Sequence, residues 1–213
     1  MEHKSVSLAD QVFERLENDI LTGVYARGEI LNEMKLVSDL GVSRTPVREA
    51  VQRLEQESLV ELSGKGITVI GVGTQDLLDI FSLRLRIEGL VTAAAAANIT
   101  EEQLKELKEA VDLQSYYVEK HDADHIKYMD SRFHQLIYSF SGSRIYYDTL
   151  LPLHKKVQKF RRASVENRSR AALSVKEHLA IYEAIAAHDE ARAEQAMIQH
   201  IQNAKNHVTE GSN

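Results

Sequence analysis

The 213-residue chain has no cysteine and only two prolines, and its ten glycines are unevenly spread. Without thiols it can build no disulfide framework, thiolate zinc site, iron–sulfur cluster or cysteine nucleophile, so any metal must sit on nitrogen and oxygen ligands. A long apolar run is also missing. The longest, near Leu90 to Ala97, falls far short of the roughly 20 residues that cross a bilayer. The first residues, MEHKSVSLADQ, place no apolar stretch behind basic ones, so a cytoplasmic protein without a membrane partner is expected. What is present is ordinary for a globular chain: 43% hydrophobic and 27% charged residues, in a length that admits one large domain or two small ones. The formal net charge of −6 argues against an unstructured polybasic contact with nucleic acid but leaves room for a local basic face.

The scarce glycines divide the chain. Gly23, Gly28, Gly41, Gly64, Gly66, Gly71 and Gly73 crowd the first 73 residues, leaving Gly89, Gly142 and Gly211 for the rest. Glycine marks tight turns, so residues 1–73 are expected to form short elements with many corners, and residues 74–213 long uninterrupted helices.

In the first part, Leu8, Val12, Leu16, Ile20 and Leu21 fit one amphipathic helix ending before Gly23. A shorter helix over 33–40 turns Leu36, Val37 and Leu40 inward and closes at Gly41. Ser43 or Thr45 can cap the next helix, and Pro46 is tolerated in its first turn, where N–H groups have no intrahelical partner. Along it Val47, Ala50, Val51 and Leu54 make a buried stripe, while Arg44, Arg48 and Gln52 recur on the other side. Two short runs, 59–62 and 67–72, flank Ser63-Gly64-Lys65-Gly66 and read as a β-hairpin. Helix, short helix, glycine turn, helix with a basic outer face, then a hairpin with lysine at its tip is the order of a winged helix-turn-helix.

That order suits DNA reading. The major groove admits one helix whose arginines bond guanine edges, while Thr45 or Ser43 hold phosphates. Residues 1–75 carry 8 Lys and Arg against 12 Asp and Glu, so attraction must come from the local group Arg44, Arg48, Arg53 and Lys65. A solvated helix face carries similar arginines, and only the turn, cap and hairpin arriving in register favour the DNA reading.

Leu31-Asn32-Glu33 with Leu36, then GVSRTPVREAVQRLE and LVELSGKGITV, closely resembles the amino-terminal domain of the GntR family of bacterial transcription regulators. By that resemblance Arg44, Thr45 and Arg48 contact DNA from the recognition helix, and the wing tip Lys65-Gly66 enters the minor groove. Two positions depart from the family pattern: Met34 stands where arginine is common, and Ser58 where glycine is usual.

From Gln75 onward, six helices of 14 to 23 residues are expected to form an antiparallel bundle. They run over 75–97, from the capping box Thr100 to Gln103 onward to 119, over 123–140, over 143–162, from a second capping box Ser174 to Glu177 onward to 187, and from the cap Asp189 to 207. The polar stretch 164–170 is the best loop candidate.

Among nine histidines, His134 shares a helix face with Asp130 one turn earlier, and His178 and His200 lie on two later helices among apolar residues at helical spacing. Spacing alone is equally compatible with hydrogen-bonded core histidines and with a metal site. His3, His121, His125, His154, His188 and His207 are read as surface residues.

This second part resembles the FCD ligand-binding domain of the FadR subfamily of GntR regulators. There an Asp-x-x-x-His helix and single histidines on two later helices bind a divalent metal. Asp130 with His134, Glu177-His178 and His200-Ile201 match in order, and Arg84-Leu85-Arg86-Ile87-Glu88 matches a further motif that implies Arg84 near the metal, meeting a ligand carboxylate. Zinc, nickel and manganese all suit three imidazoles and one carboxylate, and open coordination positions beside an arginine suit a small organic or sugar acid. The resulting expectation is a homodimeric regulator reading a palindromic operator under control of such an effector. Two other readings remain open: the metal is itself the signal, or the site is a metal-dependent hydrolase with Glu177 as base. No HExxH-type motif supports the hydrolase.

Overall fold

The structure, a computed structural model, describes residues 7–157 and 168–210. The chain forms two compact units, residues 1–73 and 74–213.

In the first unit, α1 (Leu8–Leu21) starts where the Ser7 side chain accepts from the Asp10 N–H. Asn32 does the same for Lys35 at the start of α2 (Glu33–Leu40), which ends on Gly41 in the left-handed conformation (φ 66°). Ser43 precedes α3 (Arg44–Gln56) in extended backbone but makes no side-chain cap, so the first N–H groups of this helix are not bonded by Ser43. The stripe Val47, Ala50, Val51 and Leu54 is buried against Val12, Leu16 and Leu36. The hairpin strands are β2 (Val60–Ser63) and β3 (Gly66–Val69), paired from Val60 opposite Val69 to Ser63 opposite Gly66. Sequence reasoning missed a third strand, β1 (Ile30–Leu31), which pairs with the other edge of β3. Two residues carry no alternation to read, and the partner is some 35 positions away. Gly66 must be glycine: at φ 125°, a Cβ would stand 3.1 Å from both Ile30 Cγ2 and the Leu31 carbonyl oxygen.

The second unit is helical: α4 (Thr74–Asn98), α5 (Glu101–Lys120), α6 (Ala123–Phe140), α7 (Arg144–Lys156), α8 (Arg168–Ala186) and α9 (Glu190–Glu210). Connections of two or three residues fold α5 back on α6 and α8 back on α9, while α4 packs on α6, α7, α8 and α9. The Thr100–Gln103 capping box is fully formed, and Asp189 caps α9 by accepting from the Arg192 N–H. Ser174 is not a cap. It lies inside α8, which already runs from Arg168 because Ala171, Ala172 and Leu173 continue the helix without a break. The proposed loop 164–170 and the end of the 143–162 helix lie largely outside the described residues; 168–170 are helical.

Candidate DNA-reading helix and metal centre

On α3 the side chains of Arg44, Thr45, Arg48 and Gln52 are exposed, opposite the buried stripe. Arg48 places Nε 3.0 Å from both carboxylate oxygens of Glu33, which fixes its direction across the α2–α3 turn. Arg44 donates from Nη2 to the Met34 sulfur at 2.8 Å, a weak acceptor from which a guanine or phosphate would readily take it. Arg53 does not belong to this group. Its Nη1 bonds Asp10 at 2.6 Å and its guanidinium lies 3.9 Å over the Phe13 ring, so it clamps α3 to α1. Lys65 is exposed at the wing tip, its backbone N–H bonded to Ser63 Oγ at 3.2 Å. Of the local group expected to attract DNA, Arg44 and Arg48 remain on one element and Lys65 on another.

In the helical unit, His134, His178 and His200, expected at one centre, meet. The Nε2 atoms of His200 and His134 are 3.3 Å apart, those of His178 and His200 3.4 Å, and Asp130 Oδ1 is 3.7 Å from His178 Nε2. All three rings are buried, and His178 lies face to face with Phe133 at 4.1 Å, which sets its plane.

The opposite nitrogens explain why these rings point inward. His178 Nδ1 is 2.7 Å from Gln114 Oε1, and His200 Nδ1 is 2.7 Å from Glu177 Oε2. His134 Nδ1 is 3.2 Å from Glu88 Oε2, close enough for an ion pair, though neither atom makes a hydrogen bond among the described residues. The acceptors on His178 and His200 can only receive a hydrogen, so those two rings carry their proton on Nδ1 and present a bare Nε2, and Glu88 favours the same tautomer at His134 without closing a hydrogen bond. The acceptors are themselves held. Arg84 donates from Nε to Glu88 Oε1, Arg170 forks onto Glu177 at 3.0 Å, and Asn203 donates to Glu177 Oε1 at 2.8 Å.

Electrostatics reinforce this state. Burial lowers the His134 pKa, and it lowers that of His200 to about 4 despite the opposing hydrogen bond to Glu177. Burial alone would raise the Glu88 and Glu177 carboxyls. Arg84 and His134 nevertheless hold Glu88 well below the ordinary range, and His200, Arg170 and Asn203 bring Glu177 to about 2. Converging lone pairs on neutral rings repel one another unless a cation stands between them. A tetrahedral ion with nitrogen bonds of about 2.0–2.1 Å separates its ligands by about 3.3–3.4 Å, which is the spacing seen. The donor set therefore fits a divalent cation, with the held Nδ1 hydrogens orienting each ligand.

Beside this cluster is a cavity bordered by Arg84, Gln114, Lys127, Asp130, Arg170 and His200. Arg84 thus borders the expected effector pocket, but its Nε is committed to Glu88 and it is 2% exposed. Four partners of this site carried no such role in the sequence reading: Glu88, Gln114, Arg170 and His154. Glu88 and Gln114 have a legible signature, polar residues at one-turn spacing in otherwise apolar stripes, as Arg84 and Glu88 in α4 or Gln114 after Leu107, Ala110 and Val111, whereas Arg170 sits in the polar stretch read as a loop. The surface reading of His154 is wrong. Leu150 and His154 form the inner stripe of α7, fully buried like Val157 just past its end, with His154 Nδ1 3.4 Å from the Tyr138 hydroxyl and its pKa held well below the usual value by burial and by His134 and Arg84. His121, His125 and His188 are at the surface, His207 is half-buried, and His3 lies outside the described residues.

Comparison with known proteins agrees with both units. The model of the gntR family of bacterial regulatory proteins matches residues 8–70, and that of the FCD domain matches residues 79–203. The chain belongs to the GntR family of bacterial transcription regulators, in its branch with a carboxy-terminal FCD domain. Among its relatives is the HTH-type transcriptional repressor RspR of Escherichia coli, 30% identical over 193 residues, 90% of this chain and 85% of that protein. The gluconate operon transcriptional repressor of Bacillus subtilis is 30% identical over 127 residues, 60% of this chain and 52% of its own. The solved structure of E. coli McbR/YncC superposes with a TM-score of 0.85 at 25% identity, covering 98% of this chain and 100% of that one. These relatives are regulators and not enzymes, which sets aside the hydrolase reading. No helix among the described residues is long and apolar enough to cross a membrane.

Proposed function

We propose that the chain acts as a cytoplasmic homodimer that binds a palindromic operator, with operator affinity set by a small organic or sugar acid bound beside a divalent cation in the helical unit. The observation that carries this reading is the convergence of three imidazole Nε2 atoms and Asp130 next to a cavity bordered by two arginines and a lysine. Asp130, His134, His178 and His200 hold the ion; zinc suits this set best, with nickel and manganese as substitutes. An ion held there would supply positive charge to the acid and, by expanding beyond four ligands, a position for one of its oxygens. The chain's own residues do the rest: Arg84 and Lys127 give the cavity positive charge, and Glu88, Glu177 and Gln114 keep the rings oriented. That two relatives are named as repressors of a gluconate operon is consistent with a sugar acid.

A dimer places two α3 helices on successive half-sites, where Arg44, Thr45 and Arg48 read the major groove and Lys65-Gly66 the minor groove. A ligand that favours one placement of the two DNA-reading units over another changes operator affinity by that preference.

The test is a thermal-shift and operator-binding screen of zinc-loaded and chelated protein against glycolate, pyruvate, L-malate and D-gluconate. Stabilisation by one of the acids that is lost on chelation and in His134→Ala supports the reading. Stabilisation indifferent to both removes the ion from the mechanism. Operator affinity that follows free zinc and ignores every acid makes the metal itself the signal.

A further inference from the structure

Gln114 sits in the middle of α5, 1% exposed, on the buried stripe that includes Leu107, Ala110 and Val111. Its Oε1 is 2.7 Å from His178 Nδ1. Its Nε2 is buried and has no hydrogen-bond partner among the described residues. Native interiors rarely leave an amide nitrogen with two unused hydrogens, and such a group signals a missing partner. The side chain borders the cavity that Asp130 and His200 also line, and that cavity is where a partner for Nε2 has room to sit.

The flip of this amide is tied to metal ligation. For His178 to present a bare Nε2 to a cation, its proton must be on Nδ1, and only the amide oxygen can accept it. The NH2 group is then turned the other way. With the opposite tautomer, the bare Nδ1 would draw Nε2 and the cavity would meet Oε1. Ligation of the ion and the polarity that Gln114 shows the cavity are therefore one choice.

We propose that Gln114 is a specificity-determining residue of the effector pocket: fixed by His178, it offers the cavity donors only, and selects acids that set a carboxylate or keto oxygen against Nε2 beside the ion. This rests on the reading that the cavity takes an acid next to a cation. It adds that one side chain both steadies a metal ligand and contacts the effector, so loss of the metal changes what the pocket recognises as well as how tightly it binds.

The test compares Gln114→Glu with Gln114→Met in the full chain. Glutamate still accepts the His178 hydrogen, so zinc affinity, read by competition with a chromophoric chelator, stays within about threefold of wild type. Its second oxygen replaces the donors, so affinity for glycolate, pyruvate, L-malate or D-gluconate, whichever binds the zinc-loaded wild type, falls by about tenfold or more. Methionine removes the hydrogen bond to His178 and lowers zinc affinity roughly ten- to a hundredfold. Acid binding by Gln114→Glu equal to wild type overturns the proposal while leaving the effector reading intact. Loss of zinc in Gln114→Glu as severe as in Gln114→Met also overturns it, because the amide then acts through packing alone. If none of the four acids binds zinc-loaded wild type, the effector reading falls and this proposal falls with it.

Discussion

His134 and His200 face each other Nε2 to Nε2 at 3.3 Å, and each ring has its Nδ1 turned to a buried carboxylate, Glu88 for one and Glu177 for the other. With the proton of each ring on Nδ1, neither donates to its neighbour, and a cation between them would relieve the repulsion of the facing lone pairs. Zinc is expected to raise the melting temperature of chelator-stripped protein. At a free concentration about a hundred times the dissociation constant the gain is about 2.7 kcal/mol. Calorimetry of wild type, His134→Ala and His200→Ala with and without zinc checks this. Either variant responding like wild type would show that the ion is held elsewhere.

The same arrangement fixes a pH dependence for the metal-free protein. His200 is buried and neutral, with its pKa lowered from 6.5 to about 4, while in the unfolded chain it titrates normally. Between those values the unfolded state binds the extra proton, so stability falls as pH drops from 6.5 toward 4. The loss is on the order of 3 kcal/mol for this residue alone, at about 1.4 kcal/mol per pH unit. His134 and His154 shift in the same direction and steepen it. Urea melts of chelated protein across this range should show the slope, and His200→Gln should flatten it.

How much of this was legible in the sequence depends on whether a residue's role was local. The helices α1, α2 and α6 match their expected bounds because each has its cap and its apolar period within one stretch of chain. The four candidate ligands could be found because the Asp130–His134 spacing and the apolar neighbours of His178 and His200 are local signals too. What holds those ligands was not legible as a set. Gln114 and His178 are 64 positions apart, Glu177 and His200 23, and a glutamine or arginine in one helix says nothing about which ring it will meet. His154 was misread as lying on an exposed face, and only packing of α7 on α4 and α6 shows that its face is the inner one. Ser174 was misread because the capping-box pattern specifies only two residues in four, and an interior helix turn satisfies it by chance.

Gly89 predicts a packing limit between α4 and α9. A Cβ there would lie 2.9 Å from Ile198 Cγ1 and 3.0 Å from Glu194 Cγ, closer than side chains approach without displacement. Gly89→Val should push α9 outward and cost about 1–3 kcal/mol. His200 follows Ile198 on the same helix, so zinc affinity should weaken together with the melting temperature. A valine variant with unchanged melting temperature and zinc affinity would show that the helices accommodate the methyl groups freely.

Arg44 and Lys65 should differ in how they fail. Arg44 projects from the first turn of α3 and bonds the Met34 thioether, a weak acceptor among the described residues that leaves it able to take a pair of acceptors on a guanine edge. Lys65 stands at a hairpin tip as a flexible point charge, which suits phosphate or minor-groove contact without base choice. Because the unit carries more acidic than basic residues, its few cations must act locally rather than through a general field. With an operator obtained by selection from random duplexes, Arg44→Ala should lose about 1–3 kcal/mol at one base position per half-site and relax the preference there. Lys65→Ala should weaken all sequences alike and reduce the salt slope by about one unit per bound wing. Fluorescence anisotropy over a salt series separates the two. If Arg44→Ala lowers affinity uniformly and leaves base preference unchanged, Arg44 is a phosphate contact, and base reading falls to Arg48 after it leaves Glu33.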